Sequence, residues 1–327
     1  MFILDMSVLR VGDILLTREK KFISKGVRLF SQGDYSHAML YVARASYIHS
    51  DRAGVHSGNI QRKLFNRADD VKVVRVNDEK YIRLACDYAR NKIGTEYSIK
   101  DAIKSVLPKE DMTPSDKQFC SRLVAESYEY AGLNLVKNPK FCTPSELILS
   151  PDIHLVADFI KPATDEEVSF AKSDNPLYKQ QDATNFILSE ARRITGKNIQ
   201  NFQDIDNALL HDDSFDSEIS LIAENSGYYS FMSIDFDKNP WRYDGQIFMS
   251  IPLPRDQLIE LAYDELSSAK ERLELYIRMY NYTRYLCSRK NINYFQRQRE
   301  LYREIVSSVN NNISAAEYVL KMHGIIC

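Results

Sequence analysis

The stretch that most limits what this chain can become is QFCSRLVAESYEYAG, residues 118–132. At helical spacing Leu123, Val124, Ser127, Tyr128 and Ala131 fall on one face, and Glu126, Glu129 and Tyr130 fall on the other. Gly132 stands where the residue just past a helix belongs. Cys120 is therefore expected at, or one residue inside, the first turn. Free backbone N–H groups and the positive end of the helix dipole lower a thiol's pKa there, and the same groups can hold an oxyanion. The other reading of Cys120 is a buried structural cysteine, a common fate of this residue. Its partners decide between the two.

Those partners are sought upstream. Residues 11–17 read as a turn feeding a short buried strand, residues 20–30 as an amphipathic helix and residues 31–34 as a loop. The strand over 35–42 is apolar on both faces after His37, as a central strand of a sheet should be. A second strand, 47–50, follows a short turn, so the two form a hairpin. His37 and His49 then stand side by side on one face, where His49 can orient the His37 ring. Each histidine alone is equally a satisfied half-buried residue. His56 and Gly54 fall in a following loop. Val71–Val76 alternates as a third strand, a helix covers 79–92 with Gly94 beyond it, a short helix lies near 101–106, and the polar loop 109–117 leads to Cys120.

Composition excludes several classes. A net charge of −2 over 327 residues gives no electrostatic case for nucleic acid or anionic membranes. Five cysteines (Cys86, Cys120, Cys142, Cys287 and Cys327) show neither metal-ligand nor disulfide-framework spacing. Reduced thiols suit a cytoplasmic protein, or one exported without a cleaved signal. The N-terminus meets Asp5 and Asp13 before any long apolar run, so it reads as neither signal peptide nor membrane span.

Gly12-Asp13-Ile14, Tyr35-Ser36-His37, the polar His49, Gly94-Thr95-Glu96-Tyr97-Ser98, Phe119-Cys120-Ser121-Arg122-Leu123-Val124 and Thr143-Pro144-Ser145-Glu146-Leu147 occur in that order. The succession resembles the permuted papain-fold hydrolases of the NlpC-like superfamily, the YaeF/YiiX type, over roughly residues 8–160. The resemblance implies a circularly permuted fold in which the histidine strand precedes the cysteine helix. It places the nucleophile on Cys120, the general base on His37 and the orienting residue on His49. The third position is often glutamate in such proteins; histidine there is similar to the lecithin:retinol acyltransferase branch, with its Cys and two His. Arg122 likewise stands where many relatives carry glutamate. The substrate class implied is a peptide amide, with a lipid acyl ester as the alternative. Tyr35 and Ser121 are weaker candidates for substrate binding or the oxyanion hole. A zinc site from Cys120, His37 and His49 is chemically possible, but these motifs carry no precedent for it, so no metal and no cofactor are expected.

Pro144 and Pro151 mark the edge of the catalytic domain, with one last strand over 153–161. The expected architecture is α+β: a papain-like domain over 1–162 with an antiparallel sheet on the Cys120 helix, then a mostly helical domain over 163–327. Within the second domain a helix covers 183–193, residues 204–225 read as acidic and broken, and 226–252, rich in Gly, Pro and aromatics, read as loop with short strands. Leu258, Ala262, Leu266, Ala269, Leu273, Tyr276 and Tyr280 mark one long helix, and Tyr302, Ile305, Val309, Ile313, Ala316 and Leu320 a second, joined by a turn at 291–293. Lys270, Glu271, Arg297, Arg299, Glu300 and Arg303 read as solvated charge. The density of tyrosine in this hairpin makes it a docking surface for a protein partner or an amphipathic packing face. An interaction protein working through these helices is the reading outside enzymology.

Overall fold

Six antiparallel strands form the sheet on which the first part of the chain is built, in the order β5-β4-β3-β2-β6-β7. They are β2 (Ile14–Thr17), β3 (His37–Ala43), β4 (Ser46–Asp51), β5 (Gly54–Asn59), β6 (Val71–Val76) and β7 (Ile153–Leu155). The computed structural model describes residues 1–18, 35–105 and 114–325. The helix expected over 20–30, the loop over 31–34, most of the loop before Cys120 and Cys327 lie outside them.

β3 is central, as its two apolar faces require. Ala38 and Leu40 point, with Ile14, Leu16, Ile48, Val55 and Val74, into a core closed by α1 (Ile82–Asn91) and α3 (Cys120–Tyr130). Met39 and Tyr41 point the other way, with Leu15, Tyr47, Val71 and Val73, against Leu4, Ile60 and Phe65. β1 (Phe2–Leu4) pairs with β8 (Ile160–Pro162) in a separate two-stranded sheet. The single strand expected over 153–161 is thus two, β7 on β6 and β8 on β1, separated by Asp158 at φ 51°.

The Gly12-Asp13-Ile14 motif is architectural. Gly12, at φ 92°, has no room for a Cβ, which would sit 2.8 Å from Ile82, and its carbonyl accepts the Tyr128 hydroxyl of α3. Asp13 is fully buried. Arg75 grips it with bonds of 2.7 and 2.8 Å, and the Arg10 N–H adds another of 2.8 Å, which ties β2 to β6. A buried carboxylate needs such compensation.

The chain divides into two compact units. The first comprises residues 1–181 with 200–202, and the second residues 182–199 with 203–327. The first unit runs beyond residue 162 because α5 (Asp165–Lys172) is fastened to it. Arg62 donates to the carbonyls of Phe170 and Ser173 at 3.2 and 2.7 Å and stacks on the Phe170 ring.

The second unit is helical among its described residues. α6 (Leu177–Thr195) enters it and ends at Gly196, φ 64°. α7 (Phe202–His211) and α8 (Asp216–Asn225) occupy the acidic stretch. The expected loop and strands over 226–252 are instead α9 (Phe231–Lys238) and α10 (Gly245–Met249). Asp244 caps α10 by accepting from the N–H groups of Gln246 and Ile247. The long hairpin is α11 (Arg255–Arg289) and α12 (Asn293–Met322), with Leu258, Ala262, Leu266, Ala316, Val319 and Leu320 in its seam and Phe248 of α10 beside them. Asp216 of α8 caps α12, accepting from the N–H groups of Asn293 and Tyr294 at 2.9 Å. No helix among the described residues is long and apolar enough to cross a membrane.

Candidate active site

Cys120 is the first residue of α3, and Phe119 before it is extended, with φ −145° and ψ 166°. No side chain caps this helix end. The first-turn N–H groups of such a helix have no partner four residues back along the chain. Two short pairings bring the segment in. Tyr97 and Gln118 form a parallel bridge, in which Ser98 N–H donates to the Gln118 carbonyl at 2.7 Å and Gln118 N–H to that of Glu96 at 2.8 Å. Thr95, two residues earlier, accepts from Val55 N–H at 2.8 Å at the start of β5. Gly54, at φ 97°, is the neighbour that allows this: a Cβ there would lie 2.7 Å from the Thr95 carbonyl.

That same end of the sheet carries the histidines. β3 opens with His37, β4 closes with Asp51, and β5 opens after a two-residue turn. Met39 pairs with His49, so His37 and His49 are diagonal neighbours on one face. Both are buried, and His37 Nε2 lies 2.8 Å from His49 Nδ1 with the rings edge-on. It is the Nε2 side of His37 that makes this contact. α3 covers the opposite, Ala38–Leu40 face, so Cys120 can meet His37 only around the end of the sheet. The tip of α3 lies toward that end. The Tyr97 phenol, raised chiefly by burial, also feels both the Cys120 thiol and the Asp51 carboxyl.

Burial drives the His49 pKa far down, and the positive charge of His37, His56 and Lys63 adds to the shift. His49 is therefore a neutral imidazole, able to accept His37 Nε2–H on Nδ1 while keeping its own proton on Nε2. Around it stand groups that sequence reasoning passed over. His56 is not in a loop but on β5, paired with His49, its ring centroid 4.3 Å away. Its Nε2 lies 3.1 Å from Asp51 Oδ1. Burial works against the Asp51 charge, yet the close approach and charge of His56 and the Ala53 N–H outweigh it, and the carboxyl falls below its usual value. The signal was present: reflection about Arg52-Ala53 pairs residue 49 with residue 56, the symmetry already applied to β3 and β4.

A second missed group lies on the Cys120 helix. Glu126, read as solvent-facing, is buried and accepts from Arg122 Nε at 2.9 Å, Gln118 Nε2 at 2.6 Å and Tyr88 OH at 3.1 Å. Arg122 donates further to the carbonyls of Ser115 and Lys117 at 2.9 and 3.0 Å. Asp101 accepts from Ser115 N–H at 2.9 Å and lies 3.5 Å from Arg122. The departure from glutamate at 122 thus supplies the cation that fixes the strand entering Cys120. Ser121 is spent structurally, its hydroxyl donating to the Cys142 carbonyl at 2.7 Å. Tyr35 is buried, with the Arg18 guanidinium 5.3 Å from its ring centroid.

With this geometry described, the comparisons fall into place. Residues 8–163 match the family of permuted papain-like amidase enzymes, YaeF/YiiX, C92 family. The first unit is of α+β, papain-like class, and over these residues the chain is similar to that amidase family. Among solved structures, the crystal structure of the metalloprotein yiiX from Escherichia coli O157:H7 is similar at 16% identity. The match covers 46% of this chain and 97% of that one, with a TM-score of 0.30. No curated protein matches the chain.

Proposed function

We propose that the first unit is a thiol amidase whose nucleophile is Cys120, whose general base is His37 and whose orienting residue is His49. The observation that carries it is the 2.8 Å contact between His37 Nε2 and His49 Nδ1, in which a second imidazole orients the base. His37 takes the thiol proton, and the thiolate adds to the amide carbonyl carbon. The Cys120 N–H and its first-turn neighbours hold the oxyanion. The imidazolium then protonates the leaving amine as the C–N bond breaks, leaving a thioester on Cys120. Water, losing a proton to His37, attacks the thioester and releases the acid. A neutral His49 suits this cycle because it accepts from the imidazolium without competing for the proton. The substrate proposed is a peptide amide of the peptidoglycan type, with the lipid ester of the acyltransferase branch as the competing substrate.

Alkylation tests the nucleophile. Burial pushes the Cys86 thiol up to about 12 and raises Cys287. Cys142 is buried, with its sulfur 3.5 Å from the Pro139 carbonyl. Iodoacetamide near neutral pH should therefore modify Cys120 first, with mass spectrometry locating the adduct. Uniform or absent labelling of Cys120 would count against a thiolate.

A further inference from the structure

The hydrolytic cycle leaves one buried polar atom of the histidine cluster unused. His49 is 5% exposed, and its Nε2 has no hydrogen-bond partner among the described residues. His56 Nε2 and Asp51 Oδ1 approach to 3.1 Å, yet His56 Nε2 makes no aligned hydrogen bond. One ligand atom from each of His49, Asp51 and His56 falls within 4.8 Å of the others. All three residues sit on one tight hairpin, β4–β5, with His49 and His56 directly paired. Two imidazoles and a carboxylate are the donor set of an open zinc-type site, which leaves a fourth position for water. At Zn–N and Zn–O distances of about 2.0–2.1 Å the donors of a tetrahedron stand roughly 3.4 Å apart. Closure therefore asks the widest-spaced donors, now within 4.8 Å, to draw in by up to about 1.4 Å. Lys63 is the nearby cation that opposes a metal here, and Asp51 is the charge that offsets it.

We propose that His49 Nε2, His56 Nε2 and the Asp51 carboxylate bind a divalent transition cation of the zinc class, and that its occupation switches the Cys120 reaction off. The binding half stands by itself; the switching half rests on the proposed function. The switch follows from where protons can sit. Metal-free, the single proton of neutral His49 is on Nε2, and Nδ1 accepts from His37 Nε2–H. With metal on Nε2 that proton must be on Nδ1, pointing back along the same 2.8 Å contact. His37 Nε2 then becomes the acceptor and carries its proton on Nδ1, toward the thiol. It cannot take a second proton without two N–H groups facing each other. The thiolate–imidazolium pair thus collapses to a thiol and a neutral imidazole, with no net proton gained or lost.

The test titrates the metal-stripped full-length chain with Zn²⁺ by calorimetry, with metal analysis after gel filtration. One equivalent is expected, weakened at least ~10-fold in His56→Ala and in Asp51→Asn and unchanged in Cys120→Ala. Thermal melts verify folding, and His56→Gln serves if His56→Ala does not fold. Failure to bind one equivalent, or full-strength binding in both the His56 and Asp51 variants, overturns the site. Loss of binding in Cys120→Ala overturns it too, in favour of ligation through Cys120. On a peptide amide, the ratio of metal-free to zinc-loaded rate should be at least ~10 for the parent chain, return to one on chelation, and stay near one in Asp51→Asn. Zinc bound without a change in rate overturns the switch alone. A metal-free chain that neither hydrolyses amides nor alkylates at Cys120 defeats the hydrolase reading and the switch with it, while the titration still decides the site.

Discussion

Each unit buries a set of ionisable side chains, and the two sets are built differently. At the sheet end of the first unit, His37, His49, His56 and Asp51 are interlocked, each within bonding or ring-contact range of the next. In the second unit Asp206 is equally buried, and it accepts from Tyr282 OH at 3.2 Å amid tyrosines raised mainly by burial. Both sets have displaced pKa values, and only the first has the order that the proposed chemistry needs: a cysteine at a helix start, and one imidazole that contacts a second, neutral one. Burial moves a pKa wherever it occurs; direction of proton transfer requires paired donors and acceptors.

The contrast is broken most severely at Cys120. Cys120→Ala should lower amide turnover on the order of 10⁴-fold or more while the melting temperature stays nearly constant, since a small residue at a helix start costs little. Turnover surviving this substitution would move the nucleophile elsewhere. His49 comes next. His49→Ala should cost roughly 10²- to 10⁴-fold, whereas His49→Gln or His49→Glu, which can still accept His37 Nε2–H, should retain appreciable activity. Parallel assays on a peptide amide and a phospholipid ester sharpen the reading. Ester cleavage alone, and only with histidine, would place the chain with the acyltransferases.

Arg122 gives a smaller effect on turnover and a large one on the fold. Arg122→Ala strips the buried Glu126 of its cation and the Ser115 and Lys117 carbonyls of their donor. A loss of about 3–5 kcal/mol in denaturant unfolding is expected. Arg122→Met with Glu126→Leu, which removes both charges, should recover most of that stability. Turnover in the double variant should stay about 10-fold down, because the strand entering Cys120 remains unanchored. Full activity in the stable double variant would make the pair purely structural.

What could be read beforehand follows the same division. Cys120 at the start of α3, the β3–β4 hairpin and the α11–α12 pair were legible because periodicity and turn residues act locally. Hairpin symmetry placed His37 and His49 side by side on one face; they do share a face, but Met39 is the residue paired with His49, so the two histidines are diagonal neighbours. Asp51 and His56 were not placed with them: the residues after β4, Gly54 and His56 among them, read as a loop, whereas Gly54 is the close-approach residue that opens β5 against Thr95. Glu126 was misassigned because its charge is answered by Gln118, Tyr88 and Arg122, two of them outside one helical face. Residues 226–252 looked like loop and strand from their Gly, Pro and aromatic content. Pro240 instead opens a helical turn and Asp244 caps the next helix, both local devices that composition hides.

The smallest effect sharpens the other side of the comparison. Burial raises the Asp206 carboxyl to about 7, the Tyr282 bond only partly opposing it. A folded-state pKa above the unfolded one means that, between about 4 and about 7, the folded chain holds a proton that the unfolded chain has released. Stability should thus be greatest below that window and fall as pH rises through it, by an amount on the order of a few kcal/mol. Asp206→Asn removes the ionisation and should flatten this part of the profile. The variant should gain on the parent between pH 5 and pH 8 when both are unfolded in denaturant, and comparing the two differences cancels whatever the amide itself costs. Amide hydrolysis, per folded molecule, should be unaffected, since Asp206 lies in the helical unit. Parallel stability profiles for parent and variant would show that Asp206 is charged in the folded state, a paired charge rather than a buried neutral acid.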